Sequence, residues 1–298
     1  MPVNSLNTEK QNEKSANLDI MSAYEIVQLM NSEDMTVAQA VGTVLPQVAR
    51  AVEMIAESMK RGGRLIYVGA GTSGRLALLD ASECPPTFGA EEGLVVAVIA
   101  GGDAAVRHAV EGAEDDSEAG GRELRGLSIS AQDVVVGITA SGKAPFVAGA
   151  LAYARREGAH TVALACNSPA MISSVADVAI EVPTGPEVLT GSTRLKAGTA
   201  QKMVLNMLST ASMVLMGKVY RNYMISVKPL NSKLVDRACR ILAETAEVSY
   251  QEASRSLKSA GMDTMTAFVM LKTGLTAGEA VKKLKDAGNS LRAALGGP

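Results

Sequence analysis

The 298-residue chain has no tryptophan, 3% aromatic residues, three cysteines and two histidines. So few rings leave little to stack on bases or on sugar faces. Cys84, Cys166 and Cys239 are too few and too scattered for a disulfide framework or a zinc site, and they fit a reduced, cytoplasmic setting. His108 and His160 each stand without a metal-like partner, and no histidine near Cys84 would activate that thiol. A formal net charge of −2 supplies no basic footprint, which argues against nucleic acid as a partner. No apolar run approaches the length of a membrane span, so no membrane partner is expected. The polar segment Met1–Asn17 lacks the apolar stretch of a secretory signal.

What remains is a globular composition, 47% hydrophobic and 20% charged, with a core drawn from Ala, Val, Leu, Ile and 15 Met. Residues 1–17 read as a flexible N-terminal arm. From Ser22 to about Met59 apolar residues recur at helical steps, with Asp34 or Thr36 as cap and Gly62-Gly63 as stop. Five short apolar runs follow: Leu65–Val68, Leu94–Ile99, Val134–Ile138, Thr161–Ala165 and Val178–Val182. Helical stretches between them predict an α/β fold, a doubly wound, flavodoxin-like parallel sheet covered on both faces. A long apolar helix runs from Gly198 to about Met216. Beyond it lie three or four short helices punctuated by Gly261, Gly274 and Gly288. The expected divisions are 18–230 for the sheet domain with its N-terminal helices and 231–298 for a small all-helical domain.

Three hydroxyl-rich turns are expected at one end of that sheet. The first, Gly69-Ala-Gly-Thr-Ser-Gly-Arg75, leaves a buried strand and opens a helix. Converging backbone N–H groups, the helix dipole and hydroxyl donors make such a turn an anion cradle. It lacks the lysine of a nucleotide-binding P-loop, so a small phosphorylated ligand suits it better. Its candidate binding residues are Gly71, Thr72, Ser73 and Gly74. The second turn offers Ser141, Gly142 and Lys143, and the third Ser192, Thr193 and Lys196. Two carboxylates are candidates for proton transfer. Glu83 precedes Pro85-Pro86 and is expected at an abrupt helix end, while Glu114 sits in an acidic run that on its own reads as a solvated face.

Together with Asp80-Ala-Ser-Glu-Cys-Pro-Pro-Thr87, Ala109-Val-Glu-Gly-Ala-Glu-Asp115 and Thr190-Gly-Ser-Thr-Arg-Leu-Lys196, these turns resemble the N-acetylmuramic acid 6-phosphate etherases. The resemblance runs from about residue 18 into the helical tail. It implies the sugar isomerase (SIS) fold, shared with phosphosugar isomerases and the glucokinase regulatory protein. It also implies cleavage of a D-lactyl ether by elimination and hydration, with no metal or organic cofactor. The family's catalytic glutamates fall on Glu83, the acid at the leaving ether oxygen, and Glu114, the base at C2. A homodimer with the site at the subunit interface is implied as well. Leu195 stands where the family string has Met, a volume-conserving exchange. An aminosugar-phosphate isomerase would need only one base, and a non-catalytic phosphosugar sensor would have lost a glutamate; both acids are present here.

Overall fold

The computed structural model describes residues 6–296. The chain divides into two compact units: residues up to Ala81 together with Gly93–Ser209, and Ser82–Glu92 together with residues from Thr210 onward. The division near the C-terminal side falls at Ser209/Thr210, within the helix Lys196–Leu215, where the sequence suggests 230/231; apolar periodicity does not tell which neighbours each half of a helix packs on.

The first unit is built on five parallel strands, β1 (Leu65–Gly69), β2 (Val95–Ile99), β3 (Val134–Thr139), β4 (His160–Ala165) and β5 (Val178–Glu181). Their order is β2-β1-β3-β4-β5, so chain direction across the sheet reverses beside β1. β1 and β3 are fully buried, as expected of central strands covered on both faces. Alternate residues such as Ile66, Val68, Val135 and Ala163 point into a core completed by Leu124, Phe146, Val147, Leu151 and Ile172.

The helical stretch expected over 22–59 is two helices, α1 (Ala23–Gly42) and α2 (Leu45–Lys60). Ser22 caps α1 through a reciprocal box with Glu25, and Pro46 sits in the first turn of α2. Between and after the strands come α3 (Gly71–Phe88), α4 (Ala104–Arg107), α5 (Ser117–Gly126), α6 (Pro145–Arg156) and α7 (Lys196–Leu215); residues 171–175 form a 3₁₀ turn. α3 corrects a second expectation. Pro85 and Pro86 do not end it after Glu83; they lie in its last turn, and Gly89 N still bonds Pro85 O at 3.0 Å. Each proline removes one N–H from the i→i−4 ladder, and the helix stops at Phe88, within that same turn.

The described part of the N-terminal segment is not a loose arm. Thr8 and Asn12 are buried, and Asn167 Nδ2 donates to Thr8 Oγ1 at 2.8 Å. Residues 1–5 lie outside the described residues.

The second unit contains α8 (Ser232–Ala246), α9 (Tyr250–Ser259), α10 (Thr264–Thr273), α11 (Ala277–Asp286) and α12 (Leu291–Ala294), around a core that includes Leu242, Leu257, Phe268 and Leu284. Asn231, Ser249, Asp263, Thr276 and Ser290 cap their N-termini. The break after α8 had no glycine to announce it: Glu247 takes the left-handed conformation there, with φ 63°. This is why the sequence suggested three or four helices.

Candidate active site

β1 and β3 are neighbours on either side of the point where strand order reverses, and their C-terminal ends open a crevice. Gly71, at φ +51°, turns the chain out of β1 into α3, a conformation that side chains avoid. The turn leaves Ala70, Gly71, Thr72 and Ser73 on the wall of a 320 Å³ cavity. From β3 come Thr139, Ala140 and Ser141, and from the third turn Thr193. Parts of all three expected turns therefore face one space.

Local hydrogen bonds fix these hydroxyls. Thr139 Oγ1 and Ser141 Oγ lie 3.2 Å apart, and Lys143 N donates to Ser141 Oγ at 3.1 Å. Ser73 Oγ donates to Gln201 Oε1 of α7 at 2.9 Å. Asn167 Nδ2 holds Ala140 O at 3.0 Å, and its Oδ1 accepts from Thr8 N. That anchor carries Glu9 to the cavity wall. Glu9 was missed because an isolated polar segment carries no periodicity to reveal where it packs.

Other expected binding residues do different work. Gly74 lies outside the lining: a Cβ there would come within 2.5 Å of Ile99 Cγ1, so this glycine lets α3 approach β2. Gly142 likewise makes room, for Ala170, with a built Cβ at 2.6 Å. Lys143 and Ser192 are half-buried outside the cavity lining. Lys196 is turned away altogether, its Nζ 2.7 Å from Glu33 Oε2.

Glu114 reaches the same cavity from a 3₁₀ turn over Ala113–Asp115 that follows β2. By surface area it is exposed, yet enough protein crowds the carboxyl that lost hydration raises its pKa, and the neighbouring Asp115 charge raises it further. A carboxylate held in this way is a suitable proton acceptor. It also borders a second cavity of 310 Å³, which shares Ala70, Gly71 and Glu114 with the first and adds Arg75, His108, Val110, Glu111 and Asp115. Glu83 lines neither. It is exposed on α3.

Asp80, in the same acidic string as Glu83, accepts from Tyr67 Oη at 3.0 Å and Ser209 Oγ at 3.1 Å. Burial raises its pKa, against the pull of those bonds and of the Lys202 charge. Cys84 is buried, as expected of a structural thiol, and burial with the nearby Glu187 charge pushes Cys166 up to about 12. Among the described residues no cluster of three His, Cys, Asp or Glu could hold a metal ion.

The parallel sheet and its ring of hydroxyl-bearing turns define an SIS-type domain. The glucokinase regulatory protein N-terminal SIS domain model matches residues 47–155, and the SIS domain model matches 118–211. A phosphoheptose isomerase from Francisella tularensis shares the fold at a TM-score of 0.51, with 16% identity over 65% of this chain and 100% of its own. Full-length relatives are far nearer. An N-acetylmuramic acid 6-phosphate etherase of Mycolicibacterium smegmatis is 53% identical over 296 residues, 99% of both chains. One from Geobacillus thermodenitrificans is 53% identical over 290 residues, 97% of this chain and 98% of its own. The chain belongs to the N-acetylmuramic acid 6-phosphate etherase family. It is accordingly an enzyme, a carbon–oxygen lyase.

Proposed function

We propose that the enzyme cleaves the D-lactyl ether of N-acetylmuramic acid 6-phosphate with water, giving N-acetylglucosamine 6-phosphate and D-lactate. The observation that carries this reading is the cavity that Glu114 shares with Thr72, Ser73, Ser141 and Thr193. Hydroxyls and the N-terminal amides of α3 hold the 6-phosphate, and remote binding energy becomes orientation of the sugar carbons against Glu114.

With the ring open, C2 lies next to an aldehyde. Glu114 removes the C2 proton, the electron pair enters the aldehyde as an enolate, and fixed donors stabilise its oxygen. Collapse of the enolate forms the C2=C3 bond and breaks the bond from C3 to the ether oxygen. Glu83 protonates that oxygen as lactate leaves. It then takes a proton from the water that adds at C3, while C2 regains a proton.

Because Glu83 lies outside the cavity lining of its own chain, the reading takes it from a second copy of the chain, in a homodimer that completes the site. α1 and its flanks offer an apolar surface for such pairing: Ile20, Tyr24, Val27, Met35 and Leu45 are all exposed. Among the described residues no helix is long and apolar enough to cross a membrane. The reaction is assigned to the cytoplasm, in the recycling of cell-wall sugar, a setting that suits three buried cysteines outside any disulfide.

Incubation with N-acetylmuramic acid 6-phosphate and assay of free D-lactate tests the reading. D-lactate should appear, and the N-acetylglucosamine 6-phosphate formed in deuterated water should carry one solvent hydrogen at its C2. Absence of lactate rejects the reaction, and lactate without exchange at C2 rejects the elimination route.

A further inference from the structure

We infer that Arg75 anchors the lactyl carboxylate of the substrate, and that the second cavity is the subsite for this group. The inference rests on the reaction proposed above. That substrate carries two anions, a phosphate on C6 and a carboxylate on the substituent of C3, and Glu114 must sit beside the carbons between them. Glu114 belongs to the walls of both cavities. With the phosphate among the hydroxyls of the first, the lactyl group falls into the second.

That second space is hostile to a carboxylate on its own. Glu111, Glu114 and Asp115 all line it, and like charges at short range repel strongly where water is partly excluded. Arg75 is the one permanent cation among its lining residues. One turn into α3 from the phosphate-facing hydroxyls, its guanidinium is held by two backbone acceptors, Val106 O at 3.0 Å from Nε and His108 O at 3.3 Å from Nη2. Among the described residues no carboxylate forms an ion pair with it, and its hydrogen bonds there are those two. A guanidinium fixed in its plane with a free edge is built to grip a carboxylate through two parallel bonds. The product sugar phosphate has no carboxylate, so the same contact discriminates substrate from product and lets the product leave.

The test compares ligands with and without that carboxylate. Wild-type enzyme is assayed for lactate release first; no lactate would reject the reaction and this assignment with it. Given turnover, Arg75→Gln should raise the KM for N-acetylmuramic acid 6-phosphate about 10- to 100-fold, the loss of a charge-assisted pair. Its inhibition constant for N-acetylglucosamine 6-phosphate should stay within about twofold of wild type, since that ligand never met the arginine. Equal weakening of both ligands would make Arg75 only a brace for the 106–108 turn, and no change in either would remove it from the site. Both results overturn the assignment while leaving the reaction intact. A substrate analogue with a lactyl carboxamide tests it without mutation: wild type should bind the analogue about as poorly as Arg75→Gln binds the acid. Equal wild-type affinity for acid and amide would overturn the assignment even if the variant failed to fold.

Discussion

Lys196 Nζ meets Glu33 Oε2 at 2.7 Å, with 4% and 6% of their side-chain surfaces exposed. The contact joins the first residue of α7 to the middle of α1, and Glu33 also accepts from Lys14 Nζ at 2.8 Å and Asn12 Nδ2 at 2.9 Å. Glu187 closes the arrangement by accepting from the backbone N–H of Lys196 and Ala197, each at 2.9 Å. A lysine at a hydroxyl-rich turn reads from sequence as a phosphate ligand; here it is a strut. Lys196→Met should therefore destabilise the fold by about 3 kcal/mol, because it strips a buried carboxylate of one partner. Chemical denaturation checks this. A variant of unchanged stability that no longer bound N-acetylglucosamine 6-phosphate would return Lys196 to the ligand site.

The same carboxylate should make stability depend on acid pH. Burial raises the cost of its charge, but the bonds from Lys14, Lys196 and Asn12 outweigh it and hold Glu33 at about 2 rather than the ordinary 4.5. Between those values the unfolded chain takes up a proton that the folded chain refuses. The stabilisation is therefore complete above about pH 4.5 and fades as pH falls toward about 2. Glu33→Gln should be markedly less stable than wild type at pH 7, with the gap narrowing steadily through this window. A gap independent of pH would mean that the carboxylate charge contributes nothing.

The sheet was legible because each strand is an apolar run cut by turn residues, and the 2-1-3-4-5 order is a common solution for five such units. The loop from Gly69 to Arg75 was legible for a related reason, since small residues between a buried strand and a helix have few other uses. Side-chain direction was not legible. Whether Lys196 faced a ligand or Glu33 depended on a helix far away in sequence, and whether Gly74 touched a ligand or Ile99 depended on how closely α3 lies on β2. Pro85 and Pro86 misled in the opposite sense. Local propensity predicts a break after Glu83, yet the helix runs to Phe88 and ends only within the turn that the two prolines occupy. The resemblance singled out Glu114, but the crowding that raises its pKa comes from the fold.

Asp115 tunes Glu114. The charge of Asp115 disfavours ionisation of its neighbour, adding to the effect of burial. A base works only when deprotonated, so kcat/KM should rise with pH through the raised pKa of Glu114. Asp115→Asn removes the repulsion and should move that acid limb to lower pH, leaving the plateau rate within a fewfold of wild type. A pH–rate profile of each enzyme decides this. An unmoved limb would assign it to another group.

Glu83 and Glu114 offer a test of whether one active site draws on two chains. Glu83→Gln and Glu114→Gln should each lower turnover by at least about 100-fold, the scale of a lost general acid or base, with product binding retained. The two inactive proteins are then unfolded, mixed in equal amounts and refolded. If each site takes Glu114 from one chain and Glu83 from its partner, half of the refolded dimers are mixed and carry one site with both acids. About a quarter of wild-type activity should return. If both acids serve from a single chain, every site in the mixture lacks one of them and activity stays at the level of the separate variants. The position of Glu83 on α3, outside the lining of either cavity that Glu114 borders, favours recovery.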